Sequence, residues 1–148
     1  MIVVQHALGL RPGEVCKLRT ADVDVQHGTL VTPHDGKTGE RFCYFDVNGK
    51  AAGALARWTT HGGEYVFGRD RALLVDSYGD AITRACVKAG IPRVKPYTFR
   101  HTYACELMDG GSPIATISEA LGHKSVLTTA RYYLHGNPNM LRRVNAGR

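Results

Sequence analysis

The run Thr98-Phe99-Arg100-His101-Thr102-Tyr103-Ala104-Cys105-Glu106-Leu107-Met108 decides the fold class. Phe99, Tyr103 and Leu107 recur every four positions, the spacing of one face of an α-helix, and Gly110-Gly111 stops it. Directly after it, Ser112-Pro113 caps a second helix that turns Ile114, Ile117 and Leu121 inward and ends at Gly122. Ser125 caps a third, running to about Leu134, and Asn137-Pro138 opens a short last helix before the basic tail of Arg142, Arg143 and Arg148.

Toward the N-terminus the helical pattern continues over 77–89, with Ile82, Ala85, Cys86 and Ala89 on one face and Gly90 past the end. Pro92 and Pro96 bracket the intervening loop. Residues 51–58 read as another helix, and 64–67 are a candidate strand. The clear sheet signal is a β-hairpin. Runs of β-favouring residues at 29–32 and 41–47 flank the turn formers His34-Asp35-Gly36-Lys37-Thr38-Gly39, which puts Lys37 at the tip. At the start, Ile2, Val3, Val4, Ala7 and Leu8 look like the last turns of an apolar helix closed by Gly9, so the chain is expected to begin within an element. Pro12 then opens a short helix and leaves Arg11 at its entrance. The expected fold is mainly α with a small antiparallel β-sheet (α+β), in one domain spanning 1–148.

Composition agrees. The chain has 148 residues, 43% of them hydrophobic and 22% charged, which excludes wholesale disorder, a collagen-like chain and a coiled coil. No apolar stretch approaches the roughly 20 residues that span a bilayer, and Met1-Ile2-Val3-Val4 carries no basic leader. A cytoplasmic protein without membrane insertion is therefore expected. Cys16, Cys43, Cys86 and Cys105 form no C-x-x-C pair and have no paired His at ligand spacing, so they read as reduced thiols and not as a zinc site. Lys and Arg number 19 against 13 Asp and Glu, a net charge of +6. Residues 1–74 carry only +1 of it and 75–148 carry +5, so the C-terminal half faces an anion, and nucleic acid suits such a balance through phosphate neutralisation.

Four segments stand out: Gly9-Leu10-Arg11-Pro12-Gly13-Glu14, Gly36-Lys37-Thr38-Gly39, Tyr97-Thr98-Phe99-Arg100-His101-Thr102, and Leu121-Gly122-His123 followed nine residues later by Tyr132. In this order they resemble the catalytic domain of the tyrosine recombinases, the phage integrase family, over nearly the whole chain. The resemblance implies a tyrosine recombinase catalytic-domain fold and strand cutting and rejoining through a 3′-phosphotyrosyl intermediate. It also implies no ATP, no redox cofactor and no metal, because the phosphotyrosyl bond conserves the energy of the broken phosphodiester.

The residue chemistry fits that implication. Strand transfer needs a nucleophile, a proton donor for the departing 5′-hydroxyl, and cations around a phosphate that gains charge. Arg11 and Arg100, both at expected helix entrances, are the candidate phosphate clamp, since planar guanidiniums grip non-bridging oxygens in pairs. An ion pair with Glu14 or a solvated charge is the alternative for either. Lys37 takes the general-acid role by the resemblance, helped by neighbouring arginines that would lower its pKa; otherwise it is an exposed turn lysine. Tyr132 is the expected nucleophile. Tyr133 competes for that role, but neighbours on a helix point about 100° apart, and the spacing from His123 selects Tyr132. His123 matches the family's His or Trp that hydrogen-bonds the phosphate.

Tyr97 is a departure, for the family usually has His there and less often Lys or Tyr. A phenol with pKa of about 10 donates a hydrogen bond but is a poor base near neutrality. His101 has a supporting, structural role by the resemblance. Glu14 is expected to orient an Arg or Lys of the site through a buried hydrogen bond. His6, His27, His34, His61 and His135 show no ligand spacing and read as surface residues, although His135 lies close to Tyr132.

Partners follow from the resemblance: double-stranded DNA, with the protein nucleoid-associated when bound, and other protomers in a synaptic complex. Family members usually add an N-terminal core-binding domain, which is not expected within these 148 residues. Half a clamp on the duplex is expected to bind weakly and with strong salt dependence. Two other readings stay open. A catalytically decayed DNA-binding module would form no covalent adduct, and a type IB topoisomerase-like relaxing enzyme would not join strands from two duplexes.

Overall fold

The computed structural model describes residues 1–33, 40–68 and 70–134, without the side chains of 132–134. Helices α1 (Ile2–Leu8) and α2 (Pro12–Cys16) come first, then a single 3-10 turn over Thr20–Asp22. Strands β1 (Val23–Asp24), β2 (Thr29–Val31) and β3 (Phe42–Tyr44) follow, and helices α3 (Lys50–Thr59), α4 (Val75–Ala89), α5 (Pro96–Asp109), α6 (Ile114–Leu121) and α7 (Val126–Leu134) complete the order. No helix among the described residues is long and apolar enough to cross a membrane.

The helix ends behave as their sequences require. Gly9, Gly90 and Gly122 all take positive φ past the last turn of α1, α4 and α6, where a side chain would be strained. Pro12 and Pro96 sit in the first turn of α2 and α5, where a missing N–H costs nothing. Ser125 Oγ accepts the Leu127 N–H at 3.3 Å at the start of α7. The expected Ser112 cap is not formed: the position before α6 is Pro113, and no side chain caps it.

The sheet is antiparallel in the order β1-β2-β3, with Leu30 opposite both Val23 and Cys43. The hairpin is therefore present, with a third strand that the sequence did not signal because it is only two residues long. Beyond β3 the pairing continues through Thr32 and Arg41, whose backbone N–H and C=O meet at the base of the connection. The expected hairpin tip, with Lys37, lies outside the described residues, as does the expected helix after Asn137. The candidate strand at 64–67 reduces to one isolated bridge between Tyr65 and Arg19.

One core gathers α1, α2, the sheet, α3 and α4 around Val4, Leu10, Val15, Leu30, Leu55 and Ile82. A smaller one, Ala104, Ile117 and Leu121, joins α5 to α6. Two buried stripes are rotated from their expected positions. In α4 the buried residues are Tyr78, Ile82 and Cys86, while Ala85 and Ala89 are exposed. In α5 they are Arg100 and Ala104, with Phe99, Tyr103 and Leu107 half-buried on the flank. In both helices a polar group found partners inside. Tyr78 donates its hydroxyl to Gln5 Oε1 at 2.6 Å, and Gln5 Nε2 donates to the carbonyls of Leu10 and Pro96 at 3.2 and 3.0 Å. This buried node joins α1, α4 and the start of α5, the helix that carries Arg100.

Candidate functional site

The turn between α1 and α2 passes against the ring of Tyr103. At Gly9, φ is +58° and a Cβ would lie 2.3 Å from Tyr103 Cδ1, so the position admits glycine on two independent grounds. The Gly9 carbonyl receives Arg100 Nη1 at 2.6 Å, and the Leu121 carbonyl receives Nη2 at 2.5 Å. Arg100 is thus buried in α5 because two helix-end carbonyls accept its guanidinium. It is the fifth residue of α5, beyond the unpaired N–H groups of the first turn, so the expected helix-entrance position is found for Arg11 alone.

Arg11 precedes α2 with extended backbone, and Glu14 turns back to it. The Arg11 N–H donates to Glu14 Oε2 and Nη1 to Oε1, both at 2.6 Å, and Nη2 donates to the Gly122 carbonyl at 3.1 Å. Two of the five guanidinium N–H groups are used this way. Glu14, 5% exposed, also accepts Arg41 Nη2 at 3.1 Å and has Arg100 Nη1 at 4.0 Å. Glu14 thus accepts hydrogen bonds from both Arg11 and Arg41.

Arg41 was not among the residues singled out by sequence. It lies just before β3, donates through Nη1 to the Ala120 carbonyl, and has a buried Nε with no partner among the described residues. One signal was available. Alternation puts position 41 on the same side as buried Cys43, while Phe42 and Tyr44 are 67% and 77% exposed, so the charged residue is the one turned inward. Three guanidiniums around one carboxylate leave a cationic surplus, and a buried surplus of this kind calls for an anion.

His123 follows Gly122, whose φ is +62° and whose Cβ, if present, would lie 2.8 Å from Arg41 Cδ. The ring Nδ1 lies 2.8 Å from Thr129 Oγ1 in α7, and Thr129 is fully buried. Burial, reinforced by Arg100, Arg11 and Arg41, pushes the His123 pKa down to about 4, so the ring is neutral at pH 7. Thr129 is the second residue that the sequence reading passed over, hidden as an ordinary threonine within a helix.

Arg11, Tyr97, Arg100, His101 and His123 line one cavity of about 460 Å³, together with Leu121 and Thr128. Tyr97, in the first turn of α5, is 62% exposed. His101 is exposed as well, 3.6 Å from Cys105 Sγ, and forms part of the cavity wall. Position 132 falls within α7, four residues and about one turn after the cavity-lining Thr128. Lys37 lies outside the described residues, and so do the side chains of Tyr132 and Tyr133.

Comparison with known proteins points the same way. The tyrosine recombinase XerC of Bifidobacterium longum is 30% identical over 146 residues, which cover 86% of this chain and 40% of that protein. The crystal structure of XerA recombinase superposes with a TM-score of 0.82 at 28% identity, covering 98% of this chain and 55% of the other. The Tn1549 transposon integrase, solved in complex with transposon right end DNA, shares the fold with a TM-score of 0.78 at 21% identity, over 96% of this chain and 56% of the other. The chain spans about half the length of the curated relatives it matches. With its residues 1–140 matching the family model, this chain belongs to the phage integrase family.

Proposed function

We propose that the chain supplies the catalytic domain of a site-specific DNA recombinase, which cuts and rejoins double-stranded DNA through a 3′-phosphotyrosyl intermediate. The observation that carries this reading is the convergence of Arg11, Arg100 and neutral His123 on one cationic cavity, with position 132 one turn of α7 beyond the cavity wall. In this reading Arg11 and Arg100 hold the non-bridging oxygens and His123 adds a neutral hydrogen bond. Tyr97 donates a further one. The Tyr132 hydroxyl gives its proton to solvent water as its oxygen attacks phosphorus, the bond to the 5′-oxygen breaks, and the Lys37 ammonium delivers a proton to that oxygen. One phosphodiester replaces another, so resealing is the same step reversed with a new 5′-hydroxyl.

Relatives and structural neighbours named as recombinases support the assignment, as does the net charge of +5 on residues 75–148. Duplex DNA and further recombinase protomers are the partners in this proposal, with the protein acting in the cytoplasm on nucleoid DNA.

The test is a nicked suicide duplex bearing the sequences that flank the chain's own gene, incubated with the protein and then denatured in SDS. A covalent protein–DNA adduct is expected, present in Tyr133→Phe and lost in Tyr132→Phe. Binding without any adduct would replace the recombinase reading with that of a DNA-binding module.

A further inference from the structure

Thr129 is buried inside α7, and the one hydrogen-bond partner of its hydroxyl among the described residues is His123 Nδ1, at 2.8 Å. A helical threonine commonly returns its hydroxyl to the carbonyl four residues earlier, as Thr102 does to Thr98 at 3.0 Å in α5. Thr129 instead turns to a ring on the preceding turn, six residues away in sequence.

The direction of that hydrogen bond follows from counting hydrogens. If Nδ1–H donates to Oγ1, the hydroxyl hydrogen remains buried with no acceptor among the described residues, and a buried unsatisfied donor costs more than a hydrogen bond gains. If the hydroxyl donates to the Nδ1 lone pair, both buried groups are satisfied and the ring hydrogen resides on Nε2. Both nitrogens cannot be protonated at pH 7, because burial, and then Arg100 from α5, Arg11 before α2 and Arg41 before β3, all oppose a cation there. With Nδ1 turned to Thr129, Nε2 is the ring nitrogen left for the cavity that His123 lines.

We propose that Thr129 is a positioning residue that holds His123 as the neutral Nε2–H tautomer, so that the ring offers the cavity a hydrogen-bond donor and no lone pair. The inference rests on the strand-transfer reading of this cavity, in which the donor meets a non-bridging phosphate oxygen as negative charge builds on it. His123 is thereby excluded as the base for the Tyr132 proton, which passes to solvent water. Thr129 itself touches no reacting atom.

The tautomer can be read directly from the ring nitrogen chemical shifts of the 15N-labelled full chain at pH 7, without DNA. Protonated Nε2 and an Nδ1 resonance displaced by an accepted hydrogen bond are expected in the wild type and in Thr129→Ser, with that Nδ1 displacement lost in Thr129→Val. On the nicked duplex, Thr129→Val should form adduct about tenfold more slowly or worse at saturating DNA with unchanged DNA affinity, and Thr129→Ser should recover the rate. A wild-type ring protonated on Nδ1, in a chain that does form adduct, overturns the inference alone. So does a Thr129→Val variant whose Nδ1 shift and rate both match the wild type. A chain with an Nε2–H ring that forms no adduct overturns the strand-transfer reading, and the donor role with it.

Discussion

Arg41 and Glu14, 27 residues apart in sequence, meet in a buried ion pair of 3.1 Å that ties the base of the β2–β3 hairpin to α2. Glu14 is the hub of this arrangement and Arg41 a spoke, and the two should respond differently to substitution. Glu14→Gln leaves Arg11 and Arg41 without their shared counter-charge and is expected to lower stability by about 3–5 kcal/mol. Arg41→Met removes two donors, Nη1 on the Ala120 carbonyl and Nη2 on Glu14, together with a buried unpartnered Nε, and is expected to cost about 1–2 kcal/mol. Urea unfolding of the two variants checks the order, and an Arg41→Met loss equal to that of Glu14→Gln would show that the hub lies elsewhere.

The turn that delivers Arg11 depends on Gly9 clearing Tyr103. Gly9→Ala puts a Cβ into the ring at a positive φ and is expected to destabilise by about 2–4 kcal/mol. Tyr103→Ala in the same chain should recover the steric part and leave the backbone part, a coupling that a double-mutant cycle measures. Purely additive losses would mean that the turn shifts to avoid the ring.

His123 makes stability depend on pH. Its folded pKa of about 4 lies below the unfolded value of about 6.5, so between those values the unfolded chain binds the extra proton. Stability therefore falls as pH drops from about 6.5 to about 4, and flattens in this respect below. Denaturant midpoints at pH 7 and pH 4.5 should differ less in His123→Gln than in the wild type; an unchanged difference would place the titrating group elsewhere.

Gln5 is a polar residue in the middle of an apolar core, and three groups depend on it. Gln5→Leu strands the Tyr78 hydroxyl and the carbonyls of Leu10 and Pro96, for an expected loss of about 2–4 kcal/mol. Adding Tyr78→Phe removes one of the stranded groups, so the double variant should be less destabilised than the sum of the singles. Thermal unfolding of the four proteins gives the coupling energy directly.

Much of this molecule could be read along the chain, because the relevant physics is local. Helix ends at Gly9, Gly90 and Gly122 follow from the backbone freedom of one residue, and the hairpin follows from strand-forming runs either side of turn formers. The pairing of Arg11 with Glu14 was legible too, since three residues on the first turn of a helix bring the groups together.

Other features depended on groups that meet only in three dimensions. Arg100 is buried by a carbonyl 91 residues away and Arg41 by one 79 away. Peptide carbonyls are identical in every residue, so no side-chain pattern announces which of them will accept a guanidinium. For the same reason the apolar spacing of Phe99, Tyr103 and Leu107 marked the helix correctly and its buried face one residue off. Folding placed Arg100 inward beside Ala104 because the carbonyls of Gly9 and Leu121 accept its guanidinium there and offset the cost of taking the charge out of water.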